Sequence, residues 1–146
     1  MGRYANQTTV SVAKSKAEIE DILQRYGCEG FMSGWLGDQA MLSFQTRERQ
    51  VRFLMILPDM RDEAFTKTAT GKDRTTDAAY KAWEQACRQR WRALALVIKA
   101  KLEAVECGIV TFDQEFLAHI VTTDGVTVGQ QVIPALMAGE TPRISL

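Results

Sequence analysis

The chain reads as an α+β protein: an antiparallel sheet of three or four strands packed against a long α-helix, followed by short C-terminal helices. Two patterns predict this. Tyr80, Trp83, Cys87, Trp91, Leu94, Ile98, Leu102 and Val105 recur in steps of three and four, giving one apolar stripe along a helix from Thr76 to about Cys107. Upstream, three runs alternate residue by residue and are joined by links too short for a crossover, so they pair as an antiparallel meander.

The elements follow in order. Thr8 to Val12 is rich in β-branched residues and is expected as a first strand. Ser15 and Glu18 have capping-box spacing, so a helix should start there. Ile19, Ile22, Leu23 and Tyr26 would be its buried face, and Gly27 its left-handed cap. In the meander, Phe31, Ser33 and Trp35 alternate with Met32, Gly34 and Leu36 up to a Gly37-Asp38 turn. Ala40, Leu42 and Phe44 alternate with Met41, Ser43 and Gln45. Val51, Phe53, Met55 and Leu57 share one face of the third strand, with Arg52, Leu54 and Ile56 on the other, and Pro58 ends it.

Residues 59–75 are polar and almost without periodicity, and are expected as a long mobile loop. Beyond the long helix, Thr111 with Gln114 and Thr127 with Gln130 each have capping-box spacing. Phe112, Phe116 and Ile120, then Val132, Leu136 and Met137, would pack inward. Asp124-Gly125 between alternating residues is a competing hairpin signal. The helical spacing on both sides favours helices.

A length of 146 residues suits a single domain, 1-146, with its own core. The segment from Met1 to Gln7 has no apolar signal core and no run reaches a membrane span of ~20 residues, so no membrane partner and a cytoplasmic location are expected. Cys28, Cys87 and Cys107 lack paired spacing and read as reduced thiols.

Enzymatic chemistry finds little footing, and no catalytic residue is nominated. The single histidine, His119, lies four residues after Glu115, but no nucleophile motif accompanies it. A histidine pair, clustered cysteines, an EF-hand loop and a phosphate-cradling glycine loop are all missing, so neither a metal nor a cofactor is expected.

Charge is more informative. Lys/Arg and Asp/Glu balance at 18 each, yet residues 1–45 carry −1, residues 46–101 carry +6 and residues 102–146 carry −5. Lys81, Arg88, Arg92 and Lys99 fall within about 40° of one another on the long helix, away from its apolar stripe. Such a row would neutralise phosphates, and Arg49 and Arg52 on the sheet with Lys72 and Arg74 in the following segment could extend it. Nucleic acid, bound without sequence readout, is therefore the first expected partner. The opposing possibility is that the acidic last third folds over the basic middle and neutralises it. A second functional class rests on Met32, Met41, Leu54 and Ile56, an apolar set on the side of the sheet away from the core that would suit a protein partner or a homodimer. A small-nucleotide-binding protein is a third expectation.

From Arg88 onward the sequence resembles a family of small proteins encoded by phages and prophages. The likeness is carried by Arg-Gln-Arg-Trp-Arg-Ala-Leu (88–94), Ile-Lys-Ala-Lys-Leu-Glu-Ala-Val-Glu (98–106), and Gly108 with Thr-Phe-Asp-Gln-Glu-Phe-Leu-Ala (111–118). The Asp124-Gly125-Val126-Thr127-Val128-Gly129 turn shares it, and a weaker match covers Ala17 to Glu20 and Val51 to Phe53. The resemblance implies a phage or prophage origin, an infected or lysogenic bacterial cytoplasm, and a host protein such as a defence complex as an alternative target. It implies no reaction and no catalytic residue.

Overall fold

The computed structural model describes Ala5 and residues 7–140. Arg143 and most of the N-terminal segment lie outside the described residues. The order is α1 (Val12–Arg25), β1 (Gly30–Leu36), β2 (Gln39–Gln45), β3 (Gln50–Ile56), α2 (Glu63–Thr66), α3 (Thr76–Glu106), α4 (Phe112–Phe116), a 3₁₀ turn (Leu117–His119) and α5 (Val128–Met137). The fold is α+β.

Thr8–Val12 is not a strand. Residues 8–11 are irregular and helix α1 already begins at Val12. Ser11, not Ser15, is the cap, and its Oγ accepts the Lys14 amide at 3.1 Å. Ser15 is instead inside the helix and fully buried. Local β-propensity here yields to an extra helical turn whose Val12 packs on the core. The other end of α1 meets expectation: Gly27 has φ 80° and the Cys28 amide reaches back to the Leu23 carbonyl at 3.0 Å.

The meander is a three-stranded antiparallel sheet in the order β1-β2-β3. Its register aligns Phe31 with Phe44 and Val51, Ser33 with Leu42 and Phe53, and Trp35 with Ala40 and Met55. Those residues share the face turned to the helices. Ala40, Leu42, Phe44, Val51 and Phe53 are buried there, against Ile19, Ile22 and Leu23 of α1 and Trp91, Ala95, Ile98 and Leu102 of α3.

Helix α3 starts from Thr75, whose hydroxyl accepts the Ala78 amide, and runs 31 residues. Its stripe enters the core progressively: Tyr80 is exposed, Trp83 and Cys87 are half-buried, and Trp91, Ile98 and Leu102 are buried. Residues 59–75 contain more order than their composition suggests. Asp62 caps α2, Lys67 bridges Asp73, and the Arg74 amide bonds the Thr66 carbonyl at 2.8 Å.

Both C-terminal capping boxes form, at Thr111–Gln114 and Thr127–Gln130. Phe116 is fully buried, with its ring edge-on to Phe44 at 5.7 Å and stacked on Phe112 at 4.6 Å. Ile120 then forms a bridge with Val51, so the chain runs briefly beside β3. The Asp124-Gly125 turn joins the 3₁₀ turn to α5, while its arms form a single bridge between Val121 and Thr127. Leu136 and Met137 are a correction: both are exposed. The inward side of α5 instead approaches Ala118 through Gly129, whose backbone lies close enough that the added Cβ of an alanine would come within 2.8 Å of the Ala118 carbonyl oxygen.

Candidate interaction surface

The cationic row keeps its helical register, but its members meet different fates. Lys81 lies in water beside Asp77, four residues back, at 3.4 Å. Arg88 donates from both Nε (2.9 Å) and Nη2 (2.6 Å) to the Gln85 side chain. Arg92 is paired with Glu18 of α1, and both side chains are largely withdrawn from water. Lys99 is exposed at the mouth of a 430 Å³ cleft lined by Glu18, Arg25, Tyr26, Glu103 and Glu106. An anion approaching that cleft meets three carboxylates. The row thus ends as two solvated lysines separated by two arginines already engaged.

The other basic residues are dispersed. Arg49 grips Asp113 through two parallel bonds of 2.9 Å each, and this partner raises the arginine's affinity for its proton while lowering that of the aspartate. Arg52 donates to the Gly125 carbonyl at 2.8 Å, and Arg74 to the Phe65 carbonyl at 3.3 Å. Lys72 is exposed. Lys101, at the end of the basic region, pairs with Glu115 at 3.1 Å. Asp113 and Glu115 therefore bring part of the acidic last third onto the basic middle.

The apolar set is brought together. Met32, Gly34 and Leu36 share the face of the sheet opposite the helices with Met41, Arg52, Leu54 and Ile56. The pairing places Met41 between Gly34 and Leu54, and Gln39 between Leu36 and Ile56. On this face Met32 is 57%, Leu36 87%, Leu54 46% and Ile56 64% exposed, and Met41 is half-buried. The face continues into a 420 Å³ trough between β3 and α5, lined by Leu54, His119, Gly129, Ile133 and Pro134 among others. His119 stacks on Phe53 with ring centroids 4.0 Å apart. Burial, helped by the nearby Lys101 charge and opposed by a hydrogen bond to the Arg52 backbone, holds its pKa below the ordinary histidine value.

Sequence reasoning did not single out Leu36 as part of this face, although its alternation with Met32 and Gly34 was the available signal. Cys28 and Cys87 are half-buried thiols whose pKa is raised by burial, which keeps them protonated and poorly nucleophilic. Among the described residues no cluster of His, Cys, Asp and Glu could hold a metal ion, and no helix is long and apolar enough to cross a membrane. Comparison with family models, curated proteins and solved structures finds no match for this chain.

Proposed function

We propose that this protein acts by protein contact, docking another protein on the open face of its sheet, as a non-enzymatic accessory factor. One observation carries this reading: Met32, Leu36, Met41, Leu54 and Ile56 lie in register on the face turned away from the core, where all but Met41 are exposed. Clustered apolar side chains left in water in this way mark interaction sites more often than isolated ones do. Methionines at two of these positions suit a surface that adjusts to its partner. The engagement of Arg49, Arg52, Arg88 and Arg92 by neighbours favours this reading over nucleic acid. The resemblance to small phage and prophage proteins supports a bacterial host protein as the target.

The test is affinity capture from bacterial lysate, with and without nuclease, comparing the native protein with a Leu54→Asp/Ile56→Asp variant. A partner that survives nuclease and is lost with the variant is the expected result. A partner released by nuclease, together with loss of oligonucleotide binding in Lys81→Glu/Lys99→Glu, would replace the proposal with the nucleic-acid reading. Sedimentation velocity on both proteins identifies the remaining alternative, a homodimer that the variant dissociates.

A further inference from the structure

On the helix side of the sheet, at the end away from α4, the core opens into a second feature. A cavity of about 370 Å³ lies between the β1–β2 turn, α1 and α3, within the size range of small-molecule sites. All three tryptophans of the chain line it: Trp35 from β1 and Trp83 and Trp91 from α3. Their roles differ. Trp91 is almost fully buried and provides a fixed inner wall. Trp83 is anchored by its indole N–H, which donates to the Pro58 carbonyl at 2.8 Å, so its polar group is satisfied and its ring faces remain apolar. Trp35 is 75% exposed, an indole held at the rim with most of its surface in water.

The three rings surround the space without packing on one another: among the described residues, no ring contact joins any two of them. The small residues Gly34, Gly37 and Ala40 add little bulk to the lining. One charge faces this apolar lining. Lys16 of α1 sits with Nζ 4.7 Å from the Trp91 ring centroid, and it forms no ion pair among the described residues. Among the described residues, no acidic side chain lines the cavity.

We infer that this cavity binds a small planar aromatic anion, its ring inserted among Trp35, Trp83 and Trp91 and its anionic group paired with Lys16. An aromatic ring matches the indole walls in shape and apolarity, and burying Trp35 removes a large apolar surface from water. A single cation with no ion pair among the described residues selects a negative group and supplies a charge-assisted hydrogen bond. Two sources share this chemistry, an aromatic carboxylate and a nucleoside monophosphate. The site lies on the opposite side of the sheet from Leu54 and Ile56, so it stands or falls independently of the protein-contact reading.

The probe is 8-anilinonaphthalene-1-sulfonate, read by its own fluorescence and by quenching of the tryptophans, with neutral N-phenyl-1-naphthylamine as the uncharged comparison. One saturable anilinonaphthalenesulfonate site is expected. Lys16→Met, which keeps the aliphatic stem, should weaken the anionic probe about tenfold and leave the neutral one unchanged. Trp35→Ala, at an exposed position, should weaken both. Displacement by naphthoate or by nucleoside monophosphates then assigns the source. Binding insensitive to Lys16→Met, binding lost in Leu54→Asp/Ile56→Asp instead, or displacement by neither class would overturn the inference.

Discussion

Replacing Gly129 by alanine sets two local effects against each other. Helix propensity alone favours the change by up to ~1 kcal/mol, since glycine loses more backbone freedom on folding. Position 129 in α5 reverses that sign. A Cβ there would stand 2.8 Å from the Ala118 carbonyl oxygen and 3.4 Å from both Ala118 Cβ and Ile133 Cδ1. The closest of these is backbone within the Leu117–His119 turn, so no rotamer change relieves it. Forcing α5 away from that segment costs roughly 1–3 kcal/mol, the range for overpacking a close contact. The net expectation is a loss of about 1–2 kcal/mol, which lowers Tm by about 3–6 °C for a chain of this size. Urea denaturation followed by tryptophan fluorescence measures it, with Gly34→Ala as the companion because its Cβ meets nothing within 4 Å. A Gly129→Ala protein as stable as the native one, or more so, would refute the close approach of α5 to Ala118.

Phe116→Ala should be among the most damaging single changes, because this fully buried ring meets Phe44, Phe53 and Phe112. A loss of about 3–5 kcal/mol is expected in denaturant titration, a large share of the ~5–15 kcal/mol typical of a whole domain. A loss below about 1.5 kcal/mol would mean that the α4 aromatic cluster does not anchor the sheet. His119 gives a pH signature. Its folded-state pKa lies below its unfolded value of 6.5, so the unfolded chain takes up the proton more readily. Stability is therefore complete above about pH 6.5 and declines as pH falls through the depressed folded value. His119→Phe keeps a ring beside Phe53 and should flatten the decline below about pH 6.5; an unchanged profile would count against a half-buried, neutral imidazole.

Much of the fold was legible because it rests on local signals. The alternation of β1 to β3 gave the meander and its two faces, and the spacing from Tyr80 to Val105 gave α3. The hydroxyls of Thr111 and Thr127 with Gln114 and Gln130 marked two helix starts to the residue. What failed depended on distant partners. Ser11 rather than Ser15 caps α1 because the helix gains a turn by packing Val12 on the core, which Thr8 to Val12 read in isolation does not reveal. The four cations of α3 share one helix face, but their neighbours could not be read locally, since Glu18 lies 74 residues from Arg92; likewise Asp113 lies 64 from Arg49. Leu136 and Met137 kept helical spacing yet found nothing to pack on, a property of the neighbouring layer rather than of their own segment.

The bridge from Ile120 to Val51 has a temporal consequence. Three strands can zip together from neighbouring sequence, but the segment flanking the last of them emerges from the ribosome some 70 residues later, after all of α3. Until then Phe44 and Phe53 lack the ring of Phe116 that covers them. A nascent chain halted before residue 111 would have α1 and α3 to pack on the sheet but would lack the aromatic cover that Phe116 gives those two rings.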